Sequence, residues 1–149
     1  MDANLKQQWY ERVTYSKLLA EHKEQTLKEK LKAGEFEQEE ISAKYGELAC
    51  HRATILVTTA LFDFNGKIKS HKYVPDLLMN SQLYWDAKAL QYWILSREDI
   101  NAERHPIGNI NKQKQAKANS RAFKSWRKKF LKFDGLKEEI VNNFQKKMA

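Results

Sequence analysis

Residues 111–133 read NKQKQAKANSRAFKSWRKKFLKF, and the way this stretch sorts on a helix decides the reading of the whole chain. It holds nine Lys or Arg and no Asp or Glu. At about 100° per residue, Ala116, Phe123, Trp126, Phe130 and Phe133 share one stripe. Lys114, Lys117, Arg121, Lys124, Lys128 and Lys132 fall on the opposite stripe, with Arg127 and Lys129 flanking it. The pattern predicts a basic amphipathic helix that buries rings and turns a row of cations to solvent. Such a row attracts a phosphate backbone or another polyanion.

Working outward, Asp134-Gly135 reads as a break, followed by a short last helix over 136–148 that uses Leu136, Ile140, Val141 and Phe144. Upstream, residues 101–111 (NAERHPIGNIN) read as a loop with Pro106 and Gly108 as breakers. A helix-turn-helix over 101–130 is a weaker reading, because its turn would hold Asn119 where a glycine is wanted. Before the loop, Val74-Pro75-Asp76 opens a helix with proline in the first turn. Its expected buried stripe is Leu83, Ala87, Leu90 and Ile94, widened by Leu77, Tyr84, Trp85 and Trp93. So apolar a helix is expected at the centre of the core.

Two further helices precede it. Residues 3–33 place Leu5, Trp9, Val13, Ala20, Leu27 and Leu31 on one face, and Gly34 suits a helix stop. Glu35, Glu37, Glu39 and Glu40 then favour the positive end of a second helix. That helix is expected to run to about residue 62 on the stripe Ile41, Tyr45, Leu48, Arg52, Ile55, Thr59 and Phe62. Asn65-Gly66 between alternating apolar residues allows a small β-hairpin near 60–73. Five Gly and two Pro in 149 residues disfavour a many-turned β fold. The expectation is an all-α, single-domain bundle of about four to five helices spanning 1–149.

The charge is uneven. Residues 1–50 carry a net −2, residues 51–100 a net +1 and residues 101–149 a net +9. A basic end on a near-neutral body suggests a binding face rather than general solubility. A single cysteine, Cys50, excludes an intramolecular disulfide and a cysteine-rich zinc site. The chain has no apolar run long enough to cross a membrane and no apolar leader core, so a cytoplasmic location is expected.

Catalytic signals are absent. Of the four histidines only His51 stands near a cysteine, and neighbours on a helix point apart. His71 and Asp63 read as surface residues, and Cys50 as a small buried thiol. No glycine-rich phosphate loop or nucleophile elbow is present. The sequence therefore suggests no enzyme, no metal and no cofactor.

The first functional expectation is a non-enzymatic nucleic-acid-binding accessory protein, a subunit of a nucleoprotein assembly. Lys114, Lys117, Arg121, Lys124, Arg127, Lys128 and Lys132 would contact phosphates of DNA or RNA without reading sequence. The competing expectation is a small adaptor or inhibitor that docks on a protein partner, with Tyr84, Trp85, Tyr92 and Trp93 as the protein-binding residues. Homo-oligomerisation is compatible with both.

Overall fold

The computed structural model describes residues 3–62, 66–69 and 73–148, the side chains of Leu5 and of 133–148 excepted. Four helices make an all-α bundle: α1 (Ala3–Lys32), α2 (Gln38–Leu61), α3 (Val74–Asn101) and α4 (Ile107–Met148). No described helix is long and apolar enough to cross a membrane. Among the described residues no strand forms. A single antiparallel bridge joins Phe62 to Ile68, and the Lys69 N–H donates to the Leu61 carbonyl at 3.0 Å. The rest of the anticipated hairpin, 63–65 and 70–72, lies outside the described residues, as do Asp63 and His71.

Both tight helix connections use the same cap. After α1, Gly34 adopts φ 70°, its N–H donates to Leu31, and the Glu35 N–H reaches back to the Lys30 carbonyl at 3.2 Å. After α3, Glu103 adopts φ 57°, its N–H donates to Ile100, and the Arg104 N–H reaches the Asp99 carbonyl at 2.7 Å. Each is a left-handed residue that satisfies the last carbonyls of its helix and reverses the chain. The first uses the expected glycine; the second does not.

The anticipated loop at 101–111 is shorter than its sequence suggests. α4 begins at Ile107, directly after Pro106, and the Ile107 N–H donates to His105 Nδ1 at 3.3 Å. Proline is tolerated in a first turn because N–H groups there have no helical acceptor, and Gly108 falls in that same turn. The expected break at Asp134-Gly135 is also absent, since the α4 backbone stays helical to Met148. A glycine inside a helix costs only about 1 kcal/mol relative to alanine, so it does not by itself end one. The predicted basic helix and last helix are therefore one, and Asn119 sits inside it rather than in a helix-turn-helix turn.

The bundle runs up and down. Asp99 meets Asn109, Tyr92 meets Lys112 and Asp86 meets Ser120, so α3 and α4 lie antiparallel in a constant register. The core joins Trp9 and Val13 of α1, Val57 and Leu61 of α2, Ile68, Val74 and Leu78 of α3, and Phe123, Trp126 and Phe130 of α4. α4 is the helix with extensive contacts to α2 and α3 together, and it also touches α1. It is thus the central helix, a place that the sequence pattern assigned to α3.

Two predicted stripes are displaced. The α1 and α4 stripes are buried as expected at Trp9, Val13, Ala20, Leu27, Ala116, Phe123, Trp126 and Phe130, while the Phe133 side chain lies outside the described set. In α2 the buried positions are Leu48, Ala53, Val57, Thr58 and Leu61, and Tyr45, Arg52 and Thr59 face solvent. In α3 the buried positions are Val74, Leu78, Ala89 and Ser96, whereas Leu83, Ala87, Leu90 and Ile94 are exposed. The physical reason is that α3 reaches the shared core through Val74, Leu77 and Leu78 of its first two turns and then only through the half-buried Trp85. Beyond Leu78 it has α4 on one side, and its second apolar stripe points away.

Candidate nucleic-acid interface

The basic row lies on α4 as one side of a helix whose other side is fixed by packing. Trp9 meets Trp126 and Phe130 edge to face, with centroids 5.5 Å and 5.3 Å apart. Ser120 donates to the Asp86 carboxylate, and Gln115 donates to the Asn119 side chain at 2.8 Å. Asn119 and Ser120 are buried polar residues that these bonds satisfy, and the bond from Ser120 to Asp86 of α3 also fixes the rotation of α4. Lys114, Lys117, Arg121, Lys124, Lys128 and Lys132 are all exposed. Their spacing of three and four keeps them within one sector of the helix over about 27 Å of its length.

No ion pair reaches these six side chains among the described residues. The ion pairs found there join Lys44 to Glu47 at 3.4 Å and Arg104 to Asp99 at 3.0 Å, both away from the row. Among the described residues the charge is therefore neutralised neither by the glutamates of α1 and α2 nor by another side chain of α4.

Three other cations of the segment are used differently. Arg127 is half-buried, and its Nε lies buried without a hydrogen-bond partner, so it stands between core and row. Lys129 lies with Nζ 4.7 Å from the centre of the Trp126 ring. Loss of water around Lys129, and then the nearby Arg12 charge, hold its pKa below the usual lysine value. Lys112 leans toward α3, 5.8 Å from the Tyr92 ring.

The row begins at a groove of about 490 Å³ between α2 and α4, lined by Tyr45, Arg52, Ile107, Lys112, Lys114 and Gln115. Arg52 adds a cation from a second helix to this end. The sequence pattern placed Arg52 on the buried stripe of α2, and an arginine among apolar residues was the available sign that the phase was wrong.

The aromatic residues divide by face. Phe123, Trp126 and Phe130 are buried and offer no platform to a nucleotide base. Tyr84, Trp85, Tyr92 and Trp93 do not make one patch. Trp85 and Tyr92 are half-buried on the α4 side, while exposed Tyr84 and Trp93 stand on opposite flanks of α3, roughly 180° apart at 100° per residue. Tyr84 packs edge-on to Trp85 at 5.1 Å, and Arg97 lies 5.3 Å over the Trp93 ring.

Among the described residues no group of three His, Cys, Asp or Glu is placed to hold a metal. Cys50 is exposed, contrary to its expected burial, and lines a groove between α1 and α2 with His22 and His51. Comparison with family models, with curated proteins and with solved structures finds no match.

Proposed function

We propose that this chain binds nucleic acid through the phosphate backbone, as a non-catalytic accessory component of a nucleoprotein assembly. The observation that carries the reading is the row Lys114, Lys117, Arg121, Lys124, Lys128 and Lys132, exposed on one sector of α4 with no described ion pair. Mixed charge signs are the usual surface pattern, and a long single-sign row outside a ligand's presence stores repulsion. A polyanion relieves it by replacing the row's own counterions. Arg52 extends the surface onto α2. The reading assigns backbone contacts and no base readout, because Phe123, Trp126 and Phe130 point into the core.

The test is retention of labelled single- and double-stranded DNA and RNA across a salt series, with the triple variant Lys117→Glu, Arg121→Glu, Lys124→Glu beside the parent. The expected result is tight retention at low salt by the parent and little by the variant, with helicity unchanged. Equal retention by both would defeat the reading. The adaptor or inhibitor reading is favoured by a different observation, the exposed leucines of α3. It predicts capture of one protein partner by a chain that ignores nucleic acid.

A further inference from the structure

The face of α3 that the bundle leaves uncovered is built like a helix-pairing seam. Leu83, Leu90 and Ile94 are 55%, 60% and 44% exposed, and Ala87 is exposed between them. The intervals 83, 87, 90 and 94 alternate four and three, the repeat by which one helix seats against another. Three large aliphatic side chains in line on one surface are unlike the single scattered apolar residues of an ordinary monomer surface. The helix is 28 residues long, about 42 Å, so the stripe sits in the middle of a straight docking edge.

We propose that this face joins two copies of the chain, with α3 of one lying antiparallel on α3 of the other. The charges at the ends of the stripe select both occupant and direction. Asp76 stands in the first turn and Arg97 near the last, both exposed and neither in an ion pair among the described residues. Within one chain they are about 31 Å apart along the helix and cannot meet. When Leu83 of one copy is set opposite Leu90 of the other, Met79 falls opposite Ile94 and Asp76 opposite Arg97. The two-fold repeats each of these contacts at the other end. Ala87 then lies next to the axis, where a small side chain lets the helices approach.

Other arrangements match less well. A parallel pair sets Asp76 against Asp76 and Arg97 against Arg97. Sliding the antiparallel pair by one turn, so that Leu83 faces Ile94, sets Met79 against Glu98 and Asp76 against the uncharged Asn101. The alternation of four and three that runs through 83, 87, 90 and 94 continues to Arg97 and not to Glu98, so Arg97 is the charge in line with the seam. Asp86, the acid closest to the axis, is turned to α4 by its bond from Ser120. The pairing needs no nucleic acid, and it stands or falls separately from the function proposed above.

The experiment is sedimentation equilibrium of the full chain without nucleic acid, from the micromolar to the millimolar range. The parent is expected to be a reversible dimer. Leu90→Glu is expected to weaken association by about 100-fold or more, since each copy then sets a carboxylate against an apolar neighbour. Leu83→Ser is the milder variant should Leu90→Glu lose helicity. Asp76→Arg and Arg97→Asp are each expected to weaken the dimer about fivefold, and the double variant to recover the parent affinity. A parent that stays monomeric throughout would overturn the proposal and leave the seam to a different protein. So would a dimer indifferent to Leu90→Glu, or a double variant weaker than both single ones.

Discussion

Trp9 of α1 stands edge-on to Trp126 of α4, ring centroids 5.5 Å apart and planes at 75°. Both are buried, and the contact ties the first helix to the central one across the whole sequence. It also sets which way α4 is turned, because a helix that commits Trp126 inward commits Lys124 and Lys128 outward. Trp126→Ala is therefore expected to cost about 3–5 kcal/mol, in the range of large aromatic truncations in cores. Lys124→Ala, on the other side of the same helix, is expected to change stability by no more than about 0.5 kcal/mol. Urea unfolding followed by circular dichroism measures both. Equal effects would mean that α4 is not oriented by its rings.

The legible part of this fold follows from that asymmetry. In α4 apolar and charged residues segregate so sharply that periodicity has one solution, and in α1 Trp9, Val13, Ala20 and Leu27 mark the buried face although Tyr15 and Leu18 stay exposed. α3 carries two apolar stripes, Val74-Leu78-Ala89 and Leu83-Leu90-Ile94, and periodicity alone cannot say which meets a neighbour. The richer stripe has the pattern of a buried face, yet the helix is covered on the other side, where Leu78, Ala89 and Ser96 are buried. In α2 only Leu48 of the expected stripe is fully buried; the buried positions after it are Ala53, Val57, Thr58 and Leu61, and Phe62 packs half-buried against the core. Gly135 and Gly108 have the composition of breakers, yet both lie within the helical backbone of α4, a distinction of backbone angle that composition does not carry. For the candidate site, the row on α4 was visible because it is local in sequence. Arg52 was not, because it joins the row only through the packing of α2 on α4.

Glu103 holds φ 57° at the cap of α3, a region where a side chain with a Cβ is strained and glycine is not. Gly34 performs the same task at φ 70° after α1. Glu103→Gly is expected to stabilise the protein by about 1 kcal/mol, less what is lost to the greater freedom of the unfolded chain. Gly34→Ala is expected to destabilise it by about 1 kcal/mol, the backbone being the sole cause since nothing stands near the added methyl group. Thermal unfolding of the two variants should move in opposite directions.

Asp99 fastens the turn between α3 and α4, accepting from Asn109 Nδ2 at 2.7 Å and from Arg104 Nε at 3.0 Å. The Asn109 bond first, and the Arg104 bond after it, hold the carboxyl below its ordinary value of 3.8. A carboxyl with a lowered pKa in the folded state adds stability above its unfolded value, and that share is lost as pH falls through the folded value. Asp99→Asn is expected to lower stability at neutral pH and to flatten its decline between mildly acidic solution and about pH 2. A pH series of denaturation midpoints for parent and variant reads this, and parallel curves would show that Asp99 does not contribute.

Lys129 and Lys124 separate charge that serves the core surface from charge that serves the row. Desolvation and Arg12 lower the Lys129 pKa, so its charged form is less welcome in the folded protein than in the unfolded chain. For a lysine shifted this way the penalty is present at neutral pH and fades as pH rises through the lowered value toward the usual lysine range. Lys129→Met keeps the contact with the Trp126 face and removes the charge, so stability should rise at neutral pH and its increase at alkaline pH should shrink. Lys124 stands on the exposed row instead. Nucleic-acid binding should respond in the opposite order. Loss of Lys124 is expected to reduce the slope of log affinity against log salt by about 0.7–0.9, one phosphate contact, while loss of Lys129 leaves it nearly as it was. Equal slopes for the two variants would mean that total charge, and not the row on α4, governs the interaction.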